Sequence, residues 1–242
     1  SRYFPSQTDL HNSDIIDTLN LLEGDFSERG KDIKSESIDL IFTDPPYSSN
    51  DLSIYHKLAI LAKMILKPGG SLVTYIGQHN LPEILNTVTS NELKYWWTIA
   101  VKHTGSNIPF HQRKVQVMWK PLLWFVKGEK LSSFCPLGVT DNYFYDYIES
   151  KPPKKILHPW EQSSVEAEQV IKQLTVENQT VLDPLMGSGT TGIAALNLKR
   201  KFIGIEKDKD NFLIAKNRLD NISVNGLNNK PATDFLQNNS TS

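Results

Sequence analysis

A glycine-rich turn at residues 183–192 constrains the fold of this chain more than any other stretch. It reads Asp-Pro-Leu-Met-Gly-Ser-Gly-Thr-Thr-Gly, follows an apolar run from Thr180 to Leu182, and precedes an alanine-rich stretch that ends near Lys199. A strand, a glycine turn and a helix start are the parts of a nucleotide-type cofactor site, because glycine allows close backbone approach and the first helical N–H groups are free to donate. Such turns also serve in packing alone, so this stretch by itself leaves both interpretations open.

A second motif, Asp44-Pro45-Pro46-Tyr47, follows another apolar run at residues 38–42. A turn that only redirects the chain would not need an acid and an aromatic residue together. A functional role therefore explains this motif better than a structural one.

Together the two motifs resemble those of S-adenosylmethionine-dependent DNA amino-methyltransferases, which methylate N6 of adenine or N4 of cytosine. In that family Asp-Pro-Pro-Tyr is the catalytic motif and Asp-Pro-Phe-x-Gly-x-Gly is the cofactor loop. Here the catalytic motif comes first, which is the order of the circularly permuted beta group. The resemblance covers residues 14–222 and implies one methyltransferase domain there. Residues 1–13 are then an N-terminal arm, and 223–242 are predicted to be a disordered tail.

Strands and helices alternate along most of the chain, as apolar runs and helically spaced apolar residues indicate. The predicted strands are residues 20–26, 38–42, 71–76, 95–102, 180–182 and 202–206. The predicted helices are a short one that begins near residue 13, then 51–66, 81–88, 163–174, 190–199 and 208–222. This alternation predicts an α/β fold with a doubly wound, mostly parallel, Rossmann-like sheet.

Residues 103–157 interrupt the alternation and are rich in basic and aromatic side chains. Charge supplies affinity for phosphates and flat rings stack on unpaired bases, so the composition predicts an inserted target-recognition segment. Residues 115–126 also have the pattern of buried strands, which makes Trp119, Trp124 and Phe125 alternatively core residues. The residues predicted to face DNA are in the loops: His111, Arg113, Lys114, Lys151, Lys154 and Lys155.

The resemblance also implies a set of cofactor-binding residues. In the family, Asp183 would face the amino-acid end of S-adenosylmethionine, and Asp25 would reach its adenine; Asp25 is equally well explained as a turn residue. Glu206 ends the strand after the glycine turn, where a carboxylate grips ribose hydroxyls in doubly wound nucleotide sites. The remaining predicted cofactor residues are Leu185, Gly187, Gly189 and Thr190.

Two positions depart from the family pattern. Leu185 replaces the usual phenylalanine, so an aromatic contact with the cofactor is missing or replaced. After His158-Pro159, residues Gln162 and Ser163 stand where the family often has Lys-Pro. Both departures bear on cofactor affinity.

The catalytic motif suits methylation of a ring-conjugated amine, a poor nucleophile because its lone pair is delocalised. Asp44 can accept one N–H hydrogen bond as a carboxylate and the Pro45 carbonyl the other, while Pro46 restricts the local backbone. Tyr47 would stack on a target base flipped out of the duplex. In the resembled group an aspartate at the first position goes mainly with adenine, which favours N6 of adenine over N4 of cytosine. The chemistry requires no metal.

Composition excludes several other classes. The net charge of −1 provides no global attraction to a polyanion, so any DNA site must be a local patch. The single cysteine, Cys135, excludes a disulfide framework, and it precedes a proline, whereas a cytosine C5-methyltransferase normally has its nucleophilic cysteine just after one. No pair among the six histidines has metal-site spacing. With no signal peptide or long apolar run visible, we expect a soluble cytoplasmic protein.

Two alternatives to an active adenine methyltransferase remain at this point. One is the same enzyme acting on cytosine N4. The other is a catalytically silent or partner-dependent nucleic-acid-binding subunit. A homodimer or a specificity partner is also open, because the recognition segment is short, and the target sequence cannot be read from the chain.

Overall fold

The computed structural model describes residues 18–46, 52–103, 108–110, 114–128, 144–150 and 165–228, with side chains for all of these except 103, 108–110 and 223–228. The predicted N-terminal arm, the helix near residue 13 and most of the predicted tail therefore lie outside the described residues. Among the helices that are described, none has the length and apolar character needed to cross a membrane.

An eight-stranded sheet forms the centre of the molecule. Numbered along the chain and given in spatial order, its strands are β1 (Leu19–Glu23), β10 (Lys201–Glu206), β9 (Thr180–Asp183), β2 (Ile38–Thr43), β3 (Leu66–Tyr75), β7 (Lys120–Lys127), β4 (Leu93–His103) and β8 (Tyr147–Ser150). Strand β7 is antiparallel to both of its neighbours, and the other adjacent pairs are parallel. A separate hairpin pairs β5 (Ile108–Phe110) with β6 (Val115–Val117).

Helices cover both faces of the sheet, and each face has its own cluster of buried side chains. One face packs against α1 (Phe26–Arg29), α2 (Leu52–Ile65) and α3 (Leu81–Thr89). The other packs against α4 (Val165–Leu174), α5 (Thr190–Asn197) and α6 (Lys209–Asn228). The predicted α/β fold with a doubly wound, mostly parallel sheet is therefore confirmed.

Strand β2 shows why the centre of the sheet is apolar. All its residues are buried, because helices cover both faces and strands flank both edges. Leu40 and Phe42 join the cluster under α4 to α6, whereas Ile41 joins the cluster on the opposite face. The charged residue of the strand, Asp39, accepts hydrogen bonds from Lys67 Nζ at 2.7 Å and from the Thr180 amide at 2.7 Å.

Several predicted boundaries differ from the observed ones. The strand predicted at 20–26 ends at Glu23, because the Asp25 side chain accepts a hydrogen bond from the Ser27 amide and caps α1, which begins at Phe26. Strand β3 begins at Leu66, five positions before the predicted start at residue 71. Helix α6 continues to Asn228, six positions beyond the predicted end at 222.

The connections reverse direction between β9 and β2. The chain leaves β9 through α5 towards β10 on one side, and leaves β2 through α2 towards β3 on the other. In open α/β sheets such a reversal opens a crevice at the carboxyl ends of the two strands. The glycine-rich turn follows β9 and Asp44 follows β2, so both motifs border this crevice.

Candidate active site

The crevice brings together residues from four neighbouring strand ends. Asp44 to Pro46 follow β2, Asp183 ends β9, Glu206 ends β10, and Asp25 comes two residues after β1. Asp44 and Pro46 are exposed and Pro45 is buried. Tyr47, the last residue of the predicted catalytic motif, lies outside the described residues.

Backbone hydrogen bonds, one to strand β10 and one within the turn, hold the glycine-rich turn in place. Met186 donates its amide hydrogen to the Ile205 carbonyl oxygen at 3.0 Å, and Gly189 donates to the Met186 carbonyl oxygen at 2.8 Å. Gly187 and Gly189 have φ of +52° and +85°, in the left-handed region that favours glycine. No described atom lies within 4 Å of the position that a Gly187 side chain would occupy, so the turn faces open space there.

Glu206 supports the turn from the neighbouring strand. One carboxylate oxygen accepts a hydrogen bond from the Gly187 amide at 2.9 Å, and the other accepts from the Asp208 amide at 2.8 Å. An ionised carboxylate has about four acceptor positions, so these two bonds leave capacity for a ligand. The half-buried Glu206 can thus hold the turn and accept hydroxyl hydrogen bonds at the same time.

Asp183 is buried, with 4% of its surface exposed, and it accepts three hydrogen bonds. Oδ1 accepts from Thr43 Oγ1 at 2.9 Å and from the Leu185 amide at 3.1 Å, and Oδ2 accepts from Thr191 Oγ1 at 2.7 Å. Burial raises the pKa of this carboxyl from 3.8 to about 6, and the three hydrogen bonds oppose the rise. The Asp44 carboxylate raises the pKa further by charge repulsion.

Thr190, the first residue of α5, places a hydroxyl oxygen in the interior. This Oγ1 atom is buried and has no hydrogen-bond partner among the described residues. A buried polar atom without a partner is costly, so a bound ligand that reaches it would gain a hydrogen bond. The first N–H groups of α5 have no partner within the helix itself, and the positive end of the helix dipole lies at the same place.

Asp25 has a local structural role. Its carboxylate accepts from the Ser27 amide at 2.9 Å and from Ser27 Oγ at 2.6 Å, and these hydrogen bonds lower its pKa. The Gly24 amide donates to the Glu206 carbonyl oxygen at 2.9 Å, which keeps Asp25 beside the end of β10. The sequence offered a turn residue as the alternative for Asp25, and the structure shows a local role of a different kind, as the cap of α1 at the edge of the crevice.

Arg218, on α6, contacts the glycine-rich turn and was not among the residues singled out from sequence. Its Nη1 donates to the Ser188 carbonyl oxygen at 2.7 Å and to Ser188 Oγ at 2.9 Å. A side chain added at Gly189 would lie 3.2 Å from Ala215 and Leu219 of the same helix. No motif marks Arg218, since the helical pattern around it predicts only a helix.

The predicted recognition segment is described only in part. Trp124 and Phe125 are buried, and Trp124 Nε1 donates to Ser71 Oγ at 2.9 Å, so the core interpretation is correct for both. Trp119 is 40% exposed, and its carbonyl oxygen accepts from Gln78 Nε2 at 2.8 Å, just beyond the carboxyl end of β3. Lys114 is exposed in the β5–β6 hairpin. The other predicted DNA-facing residues, like Gln162 and Ser163, lie outside the described residues.

The crevice fits S-adenosylmethionine in its chemistry. Among the residues that the structure describes, it offers open space over Gly187 and a hydroxyl without a partner on Thr190, together with an acceptor carboxylate on Glu206. In the part of the chain that is described, no three His, Cys, Asp or Glu side chains group together as metal ligands would. The arrangement defines the class of protein as a doubly wound α/β enzyme with a nucleotide-type cofactor crevice.

Comparison with protein families agrees with this class and identifies the family within it. The family model N6_N4_Mtase, described as DNA methylase, matches residues 38–217. The chain therefore belongs to the N6/N4 DNA methylase family, and the resemblance to S-adenosylmethionine-dependent DNA amino-methyltransferases is confirmed.

Individual relatives agree with the family. The Type II methyltransferase M2.LlaDCHI of Lactococcus lactis subsp. cremoris is 28% identical, over 81% of this chain and 87% of its own length. The DNA adenine methyltransferase YhdJ of Escherichia coli is 27% identical, over 83% of this chain and 82% of its own. The crystal structure of M1.HpyAVI in complex with S-adenosylmethionine superposes with a TM-score of 0.65 at 28% identity, covering 83% of this chain and 98% of that one.

Proposed function

We propose that this protein transfers a methyl group from S-adenosylmethionine to the exocyclic N6 of adenine in DNA, as a beta-group enzyme. One observation carries the proposal. The Asp44 motif and the glycine-rich turn border one crevice at the ends of adjacent strands, joined by the 2.9 Å hydrogen bond from Thr43 to Asp183. Cofactor and target amine would meet there.

The cofactor would lie along the β9 side of the crevice. Glu206 would accept from its ribose hydroxyls, and Gly187 and Gly189 would let it approach the backbone. Thr190 would donate to or accept from its methionine end. Asp25 would border the adenine, Leu185 would supply an apolar contact, and Asp183 would hold the turn in shape.

The chemistry on the β2 side belongs to Asp44 and Pro45. The bound cofactor supplies an electrophilic methyl group on a sulfonium. Asp44 would accept one hydrogen bond from the target amine and the Pro45 carbonyl oxygen the other, which turns the nitrogen lone pair towards the methyl group. Pro46 has no N–H and fixes the neighbouring backbone. The rate would come from alignment in a site closed to water, with no covalent enzyme intermediate.

DNA would contact the protein on the far side of Asp44. Tyr47 would stack on the flipped base, and residues 103–157 would act as a target-recognition insertion within a single domain at 14–222. His111, Arg113, Lys114, Lys151, Lys154 and Lys155 would contact phosphates. Because its substrate is DNA, we place the enzyme in the cytoplasm.

The choice of adenine rests on Asp44 at the first motif position, and the adenine methyltransferase of Escherichia coli among the relatives favours the same base. The second candidate is methylation of cytosine N4, which the family also includes. The two products differ chemically and are separable by nucleoside analysis.

Labelled S-adenosylmethionine and mixed-sequence duplex DNA test the proposal. We expect labelled N6-methyladenine from wild type and none from Asp44→Ala. Labelled N4-methylcytosine would overturn the choice of base. Wild type that binds the cofactor and labels no DNA would overturn the proposed activity in favour of a silent or partner-dependent subunit, and sedimentation of the same sample would show whether a homodimer forms.

A further inference from the structure

The two strands that border the crevice lose their backbone pairing just before the reacting groups. The parallel ladder between β2 and β9 pairs Leu40 with Val181 and Ile41 with Leu182. Beyond that pair the two chains continue to opposite sides of the sheet. A direct link between the catalytic segment and the cofactor turn, beyond the pairing of Ile41 with Leu182, must therefore come from side chains.

A buried hydrogen bond spans this gap. Thr43 is the last residue of β2 and lies directly before Asp44, and its hydroxyl donates to Asp183 Oδ1 at 2.9 Å. Both residues are buried, so the bond is shielded from competing water. Thr43 belongs to neither motif that the sequence singled out.

Asp183 also accepts hydrogen bonds from two groups on the cofactor side of the crevice. It accepts from the Leu185 amide within the turn and from Thr191 Oγ1 in the first turn of α5. One carboxylate thus fixes three elements relative to each other: the end of β2, the glycine-rich turn and the start of α5. Removing the Thr43 hydroxyl would remove the side-chain link to the first and leave the links to the other two intact.

We propose that Thr43 is a positioning residue for methyl transfer, whose hydroxyl holds Asp44 at a fixed distance from the cofactor turn through Asp183. This inference rests on the proposed function, because it assumes that the reacting amine is held by Asp44. It separates two tasks of the crevice: the Asp183 contacts to Leu185 and Thr191 shape the cofactor site, and the contact to Thr43 places the catalytic segment against it.

The ionisation of Asp183 supplies an independent readout of this contact. An ionised carboxylate accepts all three hydrogen bonds, whereas a protonated one must donate from one oxygen. The groups that face Asp183 are the donors Thr43, Thr191 and the Leu185 amide, together with the Asp44 carboxylate. Loss of the Thr43 donor destabilises the ionised form, so the pKa of Asp183 rises further.

The test compares Thr43→Val with Thr43→Ser and a matched control. Valine keeps the shape of threonine without the hydroxyl, and serine keeps the hydroxyl. The control is Thr74→Val, since Thr74 pairs with Thr43 in the ladder and is equally buried, and among the described residues its hydroxyl donates to the Tyr75 carbonyl oxygen at 3.1 Å. Single-turnover methyl transfer at saturating cofactor, cofactor affinity by calorimetry, and the pKa of Asp183 by carbon-13 carboxyl NMR are measured for each.

We expect Thr43→Val to slow single turnover by about tenfold, the effect of one lost hydrogen bond to a charged group. Cofactor affinity should stay within about threefold of wild type. The acidic limb of the rate profile and the NMR pKa of Asp183 should both move to higher pH. Thr43→Ser should restore all three quantities, and Thr74→Val should leave them unchanged.

The inference would be overturned if Thr43→Val had the same single-turnover rate and the same Asp183 pKa as the control Thr74→Val. A loss of rate that Thr43→Ser does not recover would overturn it as well. If wild type itself transfers no methyl group to DNA, the proposed function fails, and the NMR titration still decides whether Thr43 holds Asp183.

Discussion

The two sides of the crevice are built differently. On the β9 side, protein hydrogen bonds already hold the glycine-rich turn in place: Glu206 accepts from the Gly187 amide, and Arg218 donates to Ser188. On the β2 side, Asp44 and Pro46 are exposed, as is Trp119 beyond β3. A small cofactor can bind a site that is already formed in the free protein. A base within DNA binds together with the rest of the duplex, so its binding site is completed only when the DNA is bound. We therefore expect substitutions on the β9 side to change cofactor binding and substitutions on the β2 side to change methyl transfer.

Asp44→Asn gives the largest expected effect and tests the β2 side. An amide keeps the shape of the carboxylate but has only one acceptor oxygen and no charge. We expect methyl transfer to fall about a thousandfold, as for loss of a group that acts mainly in the transition state, with cofactor affinity unchanged. Single-turnover rates and calorimetry measure the two quantities. An equal loss of cofactor affinity would show that the two sides are not separate.

Asp183→Asn tests the buried carboxylate between the two sides. Because the pKa of Asp183 is raised from 3.8 to about 6, the folded protein holds a proton between those values that the unfolded chain has released. The contribution of this group to the free energy of unfolding therefore falls as pH rises from about 4 to 6, by at most about 3 kcal/mol. Asparagine does not titrate, and its carbonyl oxygen can still accept from Thr43 and Leu185.

Urea unfolding of wild type and Asp183→Asn across this range checks the sign. We expect the stability of the variant relative to wild type to increase between pH 4 and pH 6.5 and to be constant above that. If the stability of the variant relative to wild type instead decreases over this range, folding stabilises the ionised form of Asp183 and lowers its pKa.

Gly187→Ala tests the open space on the β9 side. The added methyl group would meet no described protein atom, so it would occupy the volume assigned to the cofactor. Gly128→Ala is the matched control, since Gly128 also has a positive φ, of +76°, and no described atom within 4 Å. Both changes carry a backbone cost of about 1 kcal/mol. We expect only Gly187→Ala to weaken cofactor binding, by about tenfold to a hundredfold.

Calorimetric titration of both glycine variants with S-adenosylhomocysteine gives the affinities. Near-equal affinities for Gly187→Ala and Gly128→Ala would place the cofactor elsewhere.

Arg218→Met tests the support behind the turn. Methionine keeps the apolar stem of arginine and loses the two hydrogen bonds to Ser188. We expect cofactor affinity to fall about tenfold and the single-turnover rate at saturating cofactor to stay close to wild type. Lys216→Met, which removes an exposed pair with Asp220 on the same helix, is the control. An affinity that does not differ between the two variants contradicts the supporting role.

Lys114→Ala gives the smallest expected effect and tests the DNA side. One exposed lysine that contacts a phosphate contributes about one unit to the slope of log affinity against log salt. We expect DNA affinity at moderate salt to fall about threefold, with cofactor affinity unchanged. Lys31, exposed beyond α1, is the control. Fluorescence anisotropy over a salt series would reveal an unchanged slope if Lys114 makes no phosphate contact.

Most of the fold could be predicted from sequence because its strands are buried on both faces. The run at 38–42 and the helix at 51–66 are confirmed nearly to the residue. The predicted end of β1 is too late, because Phe26, predicted as the last residue of the strand, is the first residue of the helix that Asp25 caps. Local hydrogen bonding prevailed over the pattern.

The site divides in the same way. Motifs indicate groups that are expected to face a ligand, and they pointed to Asp44, Glu206 and the glycine-rich turn, which the structure brings together at neighbouring strand ends. They gave no information about Thr43 or Arg218, which act on other protein groups through contacts between positions far apart in sequence. Such contacts depend on the packing of β2, β9 and α6, which only the assembled structure provides.

A crystal structure with S-adenosylhomocysteine would show whether the cofactor binds in the crevice and which way it faces. We expect the ribose hydroxyls within about 3 Å of the Glu206 carboxylate, the methionine end at Thr190, and the sulfur directed towards Asp44. Density for the ligand outside the crevice, or a bound ligand with its sulfur turned away from Asp44, would contradict this expectation.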